Sequence, residues 1–146
     1  MRVLLIGGSG FIGKRVVRKL LADDYEVAVL HRGVTGSSLP NGVAEILADR
    51  DRIEEVRGDI EQFAPDVVLD SICYTERQAI DLARIFRDTE VRIVAVSSGD
   101  VYRNYDGLRG LATGAPDPLP LAEDAPLRET RYPYRGAGLS FQYAED

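Results

Sequence analysis

The sequence predicts an α/β fold: an open, doubly wound parallel sheet with helices on both faces. Three observations carry that expectation. Short apolar runs alternate with helical patterns through residues 1–102. The first apolar run, Val3-Leu4-Leu5-Ile6, passes into glycines with a helical pattern directly behind them. Beyond residue 102 periodicity fades, and Pro116, Pro118, Pro120, Pro126 and Pro133, of seven prolines in all, fall in that tail.

The elements follow in order. Residues 3–6 read as a buried strand. After the glycines, Phe11, Ile12, Val16, Val17, Leu20 and Leu21 recur at helical spacing on one face, with Arg15, Arg18 and Lys19 on the other. Residues 25–30 (Y-E-V-A-V-L) read as a second strand, completing a β-α-β unit whose crossover is right-handed. A turn-rich loop at 33–42 leads to a third strand at 43–48 and a short polar helix at 52–62. Pro65 precedes a fourth strand, 66–70. Ala79, Leu82, Ala83 and Phe86 mark a helix, and V-R-I-V-A-V at 91–96 closes the series as a fifth strand. The pattern is Rossmann-like, with an expected strand order 3-2-1-4-5 and a ligand crevice at the carboxyl ends of strands 1 and 4, where the order reverses. The expected division is a dinucleotide-binding core over 1–102 and a Pro/Gly-rich tail over 103–146, mostly loop with one helical turn.

Length and composition bound the function. A chain of 146 residues holds one domain with a real core. Its net charge of −6 gives no footprint for nucleic acid or an anionic membrane. No run approaches transmembrane length, and the start is too short and wrongly flanked for a signal peptide. Cys73 is the single cysteine, which excludes an intrachain disulfide and fits a reducing cytoplasm. Spacing of Cys and His suited to a metal is absent.

The glycine stretch Gly7-Gly8-Ser9-Gly10-Phe11-Ile12-Gly13 is the first candidate site. Gly7 permits the turn off the strand, Gly10 lets backbone approach a pyrophosphate, and Gly13 lets the helix pack closely on the sheet. The unpaired N–H groups at the helix start, Phe11 and Ile12 among them, face the phosphates. The spacing is G-x-x-G-x-x-G. A structural turn without a ligand is the plain alternative. Gly8, Gly13 and Lys14 also satisfy G-x-x-x-x-G-K, but Arg15 stands where a triphosphate loop needs a Ser or Thr for Mg²⁺.

At the end of the second strand stand His31 and Arg32, where an NAD-binding protein usually has an acidic residue on the ribose 2′-hydroxyl. Arg32 would instead pair with the extra phosphate of NADP, so NADP is expected ahead of NAD. Otherwise Arg32 is a solvated loop residue and His31 caps the strand. Asp49, with Arg50 beside it, follows the third strand as a candidate for the adenine amino group or as a helix cap. Ser97-Ser98-Gly99-Asp100-Val101-Tyr102, just past the fifth strand, offers a hydroxyl for a substrate carbonyl, or is a Ser-Gly turn.

These residues resemble the extended short-chain dehydrogenase/reductase superfamily, in its NAD-dependent epimerase/dehydratase branch. G-G-S-G-F-I-G, the Asp after strand 3 and S-S-G-D-V-Y stand in that family's order over roughly residues 1–135. L-H-R-G at 30–33 and D-S-I-C-Y-T at 70–75 look more like its atypical reductase-like members. The resemblance implies a catalytic Ser98 and a cofactor set of Gly7, Gly10, Phe11, Ile12, Gly13, His31, Arg32, Asp49 and Arg50. It also implies a Tyr-x-x-x-Lys pair, in which lysine lowers the tyrosine pKa and holds the nicotinamide ribose. Here Pro133-Tyr134 is similar to the start of that motif, making Tyr134 the acid/base candidate, but the fourth residue on is Gly138. Tyr143 is a second candidate, whose partner would be residue 147. The only lysines are Lys14 and Lys19. The expectation is therefore the NAD(P)-binding part of an epimerase/dehydratase-like oxidoreductase, incomplete for catalysis, from a truncated gene or a degenerate paralogue. A non-catalytic dinucleotide-binding redox sensor is the alternative. Expected partners are the dinucleotide and an unidentified small-molecule substrate, with a second copy of the chain as a candidate.

Overall fold

Five parallel strands form one sheet in the order β3-β2-β1-β4-β5, as the alternation of elements predicts. They are β1 (Arg2–Ile6), β2 (Glu26–His31), β3 (Ala44–Leu47), β4 (Val67–Asp70) and β5 (Arg92–Ala95). The computed structural model describes residues 1–34, 39–110, 115, 117–130 and 132. The chain forms two compact units, Met1–Val96 and Ser97–Asp146. The division falls after Val96, so that residues 97–102 go with the tail and not with the sheet.

The first unit explains why β1 and β2 read as continuous apolar runs. Central strands of a parallel sheet are covered on both faces. In β1, Leu4 and Ile6 pack on one side with Ile53, Ile60, Leu82, Ile85 and Phe86, while Leu5 packs on the other with Val17, Val27 and Val29. Helix α1 (Phe11–Ala22) covers the second side, and α2 (Arg57–Phe63) and α3 (Glu76–Ile85) supply the first. Leu4, Leu5 and Ile6 are fully buried. Strand register sets Leu5 against Val29 and Leu4 against Val68.

Several expectations are corrected here. Phe11 and Ile12 do not share the buried face of α1. They are 78% and 65% exposed, because the first turn lies over the backbone of the glycine loop and the side-chain core begins further along, at Val17. The Phe11 ring instead carries the Arg15 guanidinium, 4.9 Å from its centroid. The polar helix over 52–62 is two pieces, a 3-10 helix Arg50–Val56 and then α2, with Arg52 non-helical inside the first of them. In α3 the buried face is Gln78, Leu82 and Ile85, with Phe86 just beyond, while Ala79 and Ala83 are exposed. Thr75 starts that helix with a capping box: its hydroxyl accepts from Gln78 N–H, and the Gln78 side chain reaches back to the Thr75 N–H. Edge strand β5 pairs only with β4, and its four residues are exposed.

Within the second unit lie a 3-10 turn, Gly99–Val101, and a short helix α4, Asn104–Leu108. Tyr102 bridges Leu127 in antiparallel fashion, the Arg103 N–H donates to the Pro126 carbonyl at 2.9 Å, and the Arg128 N–H donates to the Val101 carbonyl at 2.9 Å. The tail segment 126–128 therefore holds the S-S-G-D-V-Y stretch in place. No helix among the described residues is long and apolar enough to cross a membrane.

Candidate functional site

In the first unit the carboxyl ends of β1, β2, β3 and β4 gather the glycine loop, His31, Arg32, Asp49 and Arg50. The loop is built by contacts that leave no room for side chains. Gly7 has φ +87°, and a Cβ there would lie 2.7 Å from Ser71 Oγ and 2.8 Å from Ile72 Cγ2. A Cβ at Gly13 would lie 2.6 Å from both the Gly7 carbonyl oxygen and Gly8 Cα, so Gly13 lets the first turn of α1 close on the loop backbone. Gly8 is a structural position that the glycine spacing does not single out: its Cβ would meet Val29 Cγ1 at 2.7 Å. Gly10 differs from all three. Its nearest neighbour would be the Gly7 carbonyl oxygen at 4.0 Å, and its φ of −81° suits any residue.

Gly10 is also the N-cap of α1 and supplies no side-chain cap, and no acidic residue occupies the first turn. The N–H groups of Phe11, Ile12 and Gly13 have no acceptor one turn back within the helix, and they sit at the positive end of its dipole. Open space at Gly10, in front of that end, is the geometry an anionic group requires.

His31 is tied down locally. The Gly33 N–H donates to Nδ1 at 3.2 Å, which leaves Nε2 to carry the proton toward Glu45 Oε2 at 3.0 Å. The ring thus joins β2 to β3 and shapes the turn at Gly33. Arg32 is exposed. Asp49 Oδ1 accepts from the Asp51 N–H at 3.0 Å, the capping arrangement. Arg50 is buried. Its Nε donates to Asp70 Oδ2 at 2.9 Å and one Nη donates to the Gln78 carbonyl at 2.7 Å.

Cys73 lies half-buried beyond β4. Burial pushes its thiol above the ordinary value and Asp70 adds to the rise, with Arg50 opposing both. The native thiol therefore keeps its proton to a higher pH than the unfolded chain's thiol, whose pKa is about 8.5. Its contribution to stability is whole below that value and declines as pH rises toward the folded pKa. Iodoacetamide at pH 8.5 should label Cys73 more slowly in the native protein than in urea-unfolded protein. Equal rates would refute the shift.

In the second unit Ser98 Oγ accepts from the Asp100 N–H at 3.1 Å and caps the 3-10 turn, leaving its own O–H as a donor on an exposed side chain. Asp100 pairs with Arg128, which also reaches Asp106 at 3.1 Å. Arg128 is not legible in the sequence as part of this group, because no local spacing links residues 100 and 128. Tyr134, Gly138 and Tyr143 lie outside the described residues. Among the described residues no group of three His, Cys, Asp or Glu could hold a metal ion.

A model of the NAD dependent epimerase/dehydratase family matches residues 3–137. The chain is 35% identical over 98 residues to 2'-dehydrokanamycin reductase of Streptomyces kanamyceticus, covering 67% of this chain and 28% of that one. Among solved structures it resembles the Thermus thermophilus UDP-glucose 4-epimerase complex with NAD, at 28% identity and a TM-score of 0.68. The fold is also that of the Bordetella bronchiseptica enzyme WbmG, solved with NAD and UDP, at 18% identity and a TM-score of 0.68. Both alignments cover 88% of this chain and 44% of the other. The chain thus spans under half the length of these two structures and under a third of the reductase.

Proposed function

The chain belongs to the NAD dependent epimerase/dehydratase family, and from that premise we propose that it binds NADP(H) in preference to NAD(H), as the cofactor-binding part of an epimerase/dehydratase-like oxidoreductase. One observation carries the reading. Gly7 is required by its close contact with Ser71 and Ile72, Gly8 by Val29 and Gly13 by the loop backbone, whereas at Gly10 the space in front of the α1 N-terminus is left open. Glycine is an accepted N-cap, but Ser, Thr, Asp or Asn would cap α1 at least as well, and the side chain that any of them adds would narrow the space a pyrophosphate needs.

A dinucleotide fits this cradle by charge and by shape. Its pyrophosphate would take the N–H groups of Phe11, Ile12 and Gly13, with Gly7 making the turn and Gly10 allowing close approach. Asp49 would accept from the adenine amino group through the carboxylate oxygen not used on Asp51. His31 would shape the ribose side of the site, and Arg32 would meet a 2′-phosphate. The nicotinamide, when bound, exchanges hydride with a substrate. Ser98 would hold a substrate carbonyl or hydroxyl with its O–H, and Tyr134 is the candidate to move the proton.

A second reading has its own support. Lys14 and Lys19, both in α1, are the only lysines, and neither stands four residues beyond a tyrosine. A cofactor-binding protein that senses the dinucleotide without turning over a substrate needs no such pair.

Calorimetric titration tests the cofactor assignment. NADPH should bind more tightly than NADH, and Arg32→Ala should erase most of the difference. A charge-assisted contact contributes about 1.5–3 kcal/mol, or roughly ten- to a hundredfold in affinity. NADH binding equal to or tighter than NADPH would remove Arg32 from the site.

A further inference from the structure

Arg50 and Asp70 form an ion pair that stability alone does not explain. The side chains are 4% and 0% exposed, and one Nη lies 2.8 Å from Asp70 Oδ2. The other, Nη1, is buried with no hydrogen-bond partner. A buried pair recovers its desolvation cost only when the remaining protons are satisfied, and apolar residues of similar volume are often at least as stable. An orphaned N–H adds to that cost.

What the pair does is visible on the other side of Asp70. Its Oδ1 accepts from the Ile72 N–H at 3.0 Å and so fixes the turn that leaves β4. In that turn the Ser71 hydroxyl donates to the Ile6 carbonyl at 2.8 Å, and the Ser71 N–H donates to the same oxygen at 3.1 Å. Ser71 Oγ and the Ile72 side chain then occupy the space beside Gly7 where a Cβ would stand. The wall behind the glycine turn is therefore tied, through Asp70, to the Arg50 guanidinium.

We infer that Arg50 is a positioning residue for the dinucleotide cradle, acting through Asp70 to hold the turn at 71–73 against Gly7. This replaces the direct cofactor contact expected of Arg50, and it rests on the dinucleotide-binding reading above. Arg50 costs the fold an unsatisfied donor and returns a pre-ordered wall. Losing that order should weaken cofactor binding about tenfold or more, because the turn would then be ordered at the expense of binding.

The test is the double variant Arg50→Met/Asp70→Leu, which removes both charges together. Thermal unfolding without cofactor and fluorescence titration with NADPH and NADH are measured on it and on the wild type. The expected result is an unfolding temperature close to wild type with affinity lowered about tenfold or more for both cofactors. A purely structural pair would move the two readouts together. A stable double variant with wild-type affinity overturns the inference while leaving the dinucleotide reading intact. Wild-type protein that binds neither cofactor overturns both. If the double variant does not fold, Arg50→Lys decides, since it keeps a charge beside Asp70 but loses the forked grip. Several-fold weaker binding by that folded variant supports the inference, and unchanged binding overturns it.

Discussion

Gly10→Val should abolish dinucleotide binding in a protein that still folds. At this position φ is −81° and ψ −177°, ordinary extended backbone, and an added Cβ meets nothing closer than 4.0 Å. Glycine is a better N-cap than an apolar residue, and losing a cap of this kind typically costs about 1 kcal/mol, which a folded domain tolerates. The valine methyls would instead stand in the open space before the N–H groups of Phe11, Ile12 and Gly13, where the pyrophosphate must come. Displacing it from several charge-assisted hydrogen bonds, each contributing about 1.5–3 kcal/mol, should lower affinity more than a hundredfold. Circular dichroism and thermal melting verify the fold, and calorimetry reads the loss. Gly13→Ala is the control with the opposite signature. Its methyl would overlap loop backbone at 2.6 Å, so the variant should be destabilised by roughly 3 kcal/mol. Retained NADPH affinity in a folded Gly10→Val protein would reduce the glycine loop to a structural turn.

That contrast among four glycines is only half legible in the sequence. The spacing of Gly7, Gly10 and Gly13 identifies the loop because a strand, a tight turn and a helix must follow one another there. Which glycine is structural and which is left open depends on Ser71, Ile72 and Val29, far away in sequence. Strand order is legible for a physical reason: strands covered on both faces must be apolar throughout, so Val3 to Ile6 and Val27 to Leu30 announce themselves. Helix faces are harder to read. Gln78 is buried although polar, because its side-chain amide donates to Asp51 at 2.6 Å while its carbonyl oxygen accepts from Tyr74. No hydrophobic period reports such a residue. Phe11 and Ile12 fit the period and are nevertheless exposed, since a helix that begins over a backbone loop has no side-chain core beneath its first turn. The Arg50–Asp70 and Arg128–Asp100 pairs join residues 20 and 28 apart, beyond any local pattern.

Incubated with NADPH and a panel of nucleotide sugars and carbonyl compounds, the 146-residue chain should give background turnover despite binding the cofactor. A tyrosine of ordinary pKa near 10 carries the phenolate in only about one molecule in a thousand at pH 7. The family's chemistry relies on a lysine one helical turn beyond that tyrosine to lower the value and place the proton. Position 138, four beyond Tyr134, is glycine. Lys14 and Lys19 belong to α1, and the Lys19 ammonium is already 2.7 Å from Asp23 Oδ1. Arg135 is a cation next to Tyr134 in sequence, but a guanidinium keeps its protons throughout and presents a fork, not a single ammonium, to a ribose. Losing acid/base assistance of this kind typically costs about 10²–10⁴ in rate. Ser98 does not offset that loss, because an ordinary hydroxyl can donate a hydrogen bond but does not exchange a proton at pH 7 as an acid/base pair must. Its hydroxyl oxygen already accepts from Asp100. Absorbance at the nicotinamide band and product chromatography would follow the reaction. Turnover near one per second, abolished by Ser98→Ala, would show that another residue does the lysine's work. Clear NADPH binding with no product would favour a chain that holds the dinucleotide without consuming it.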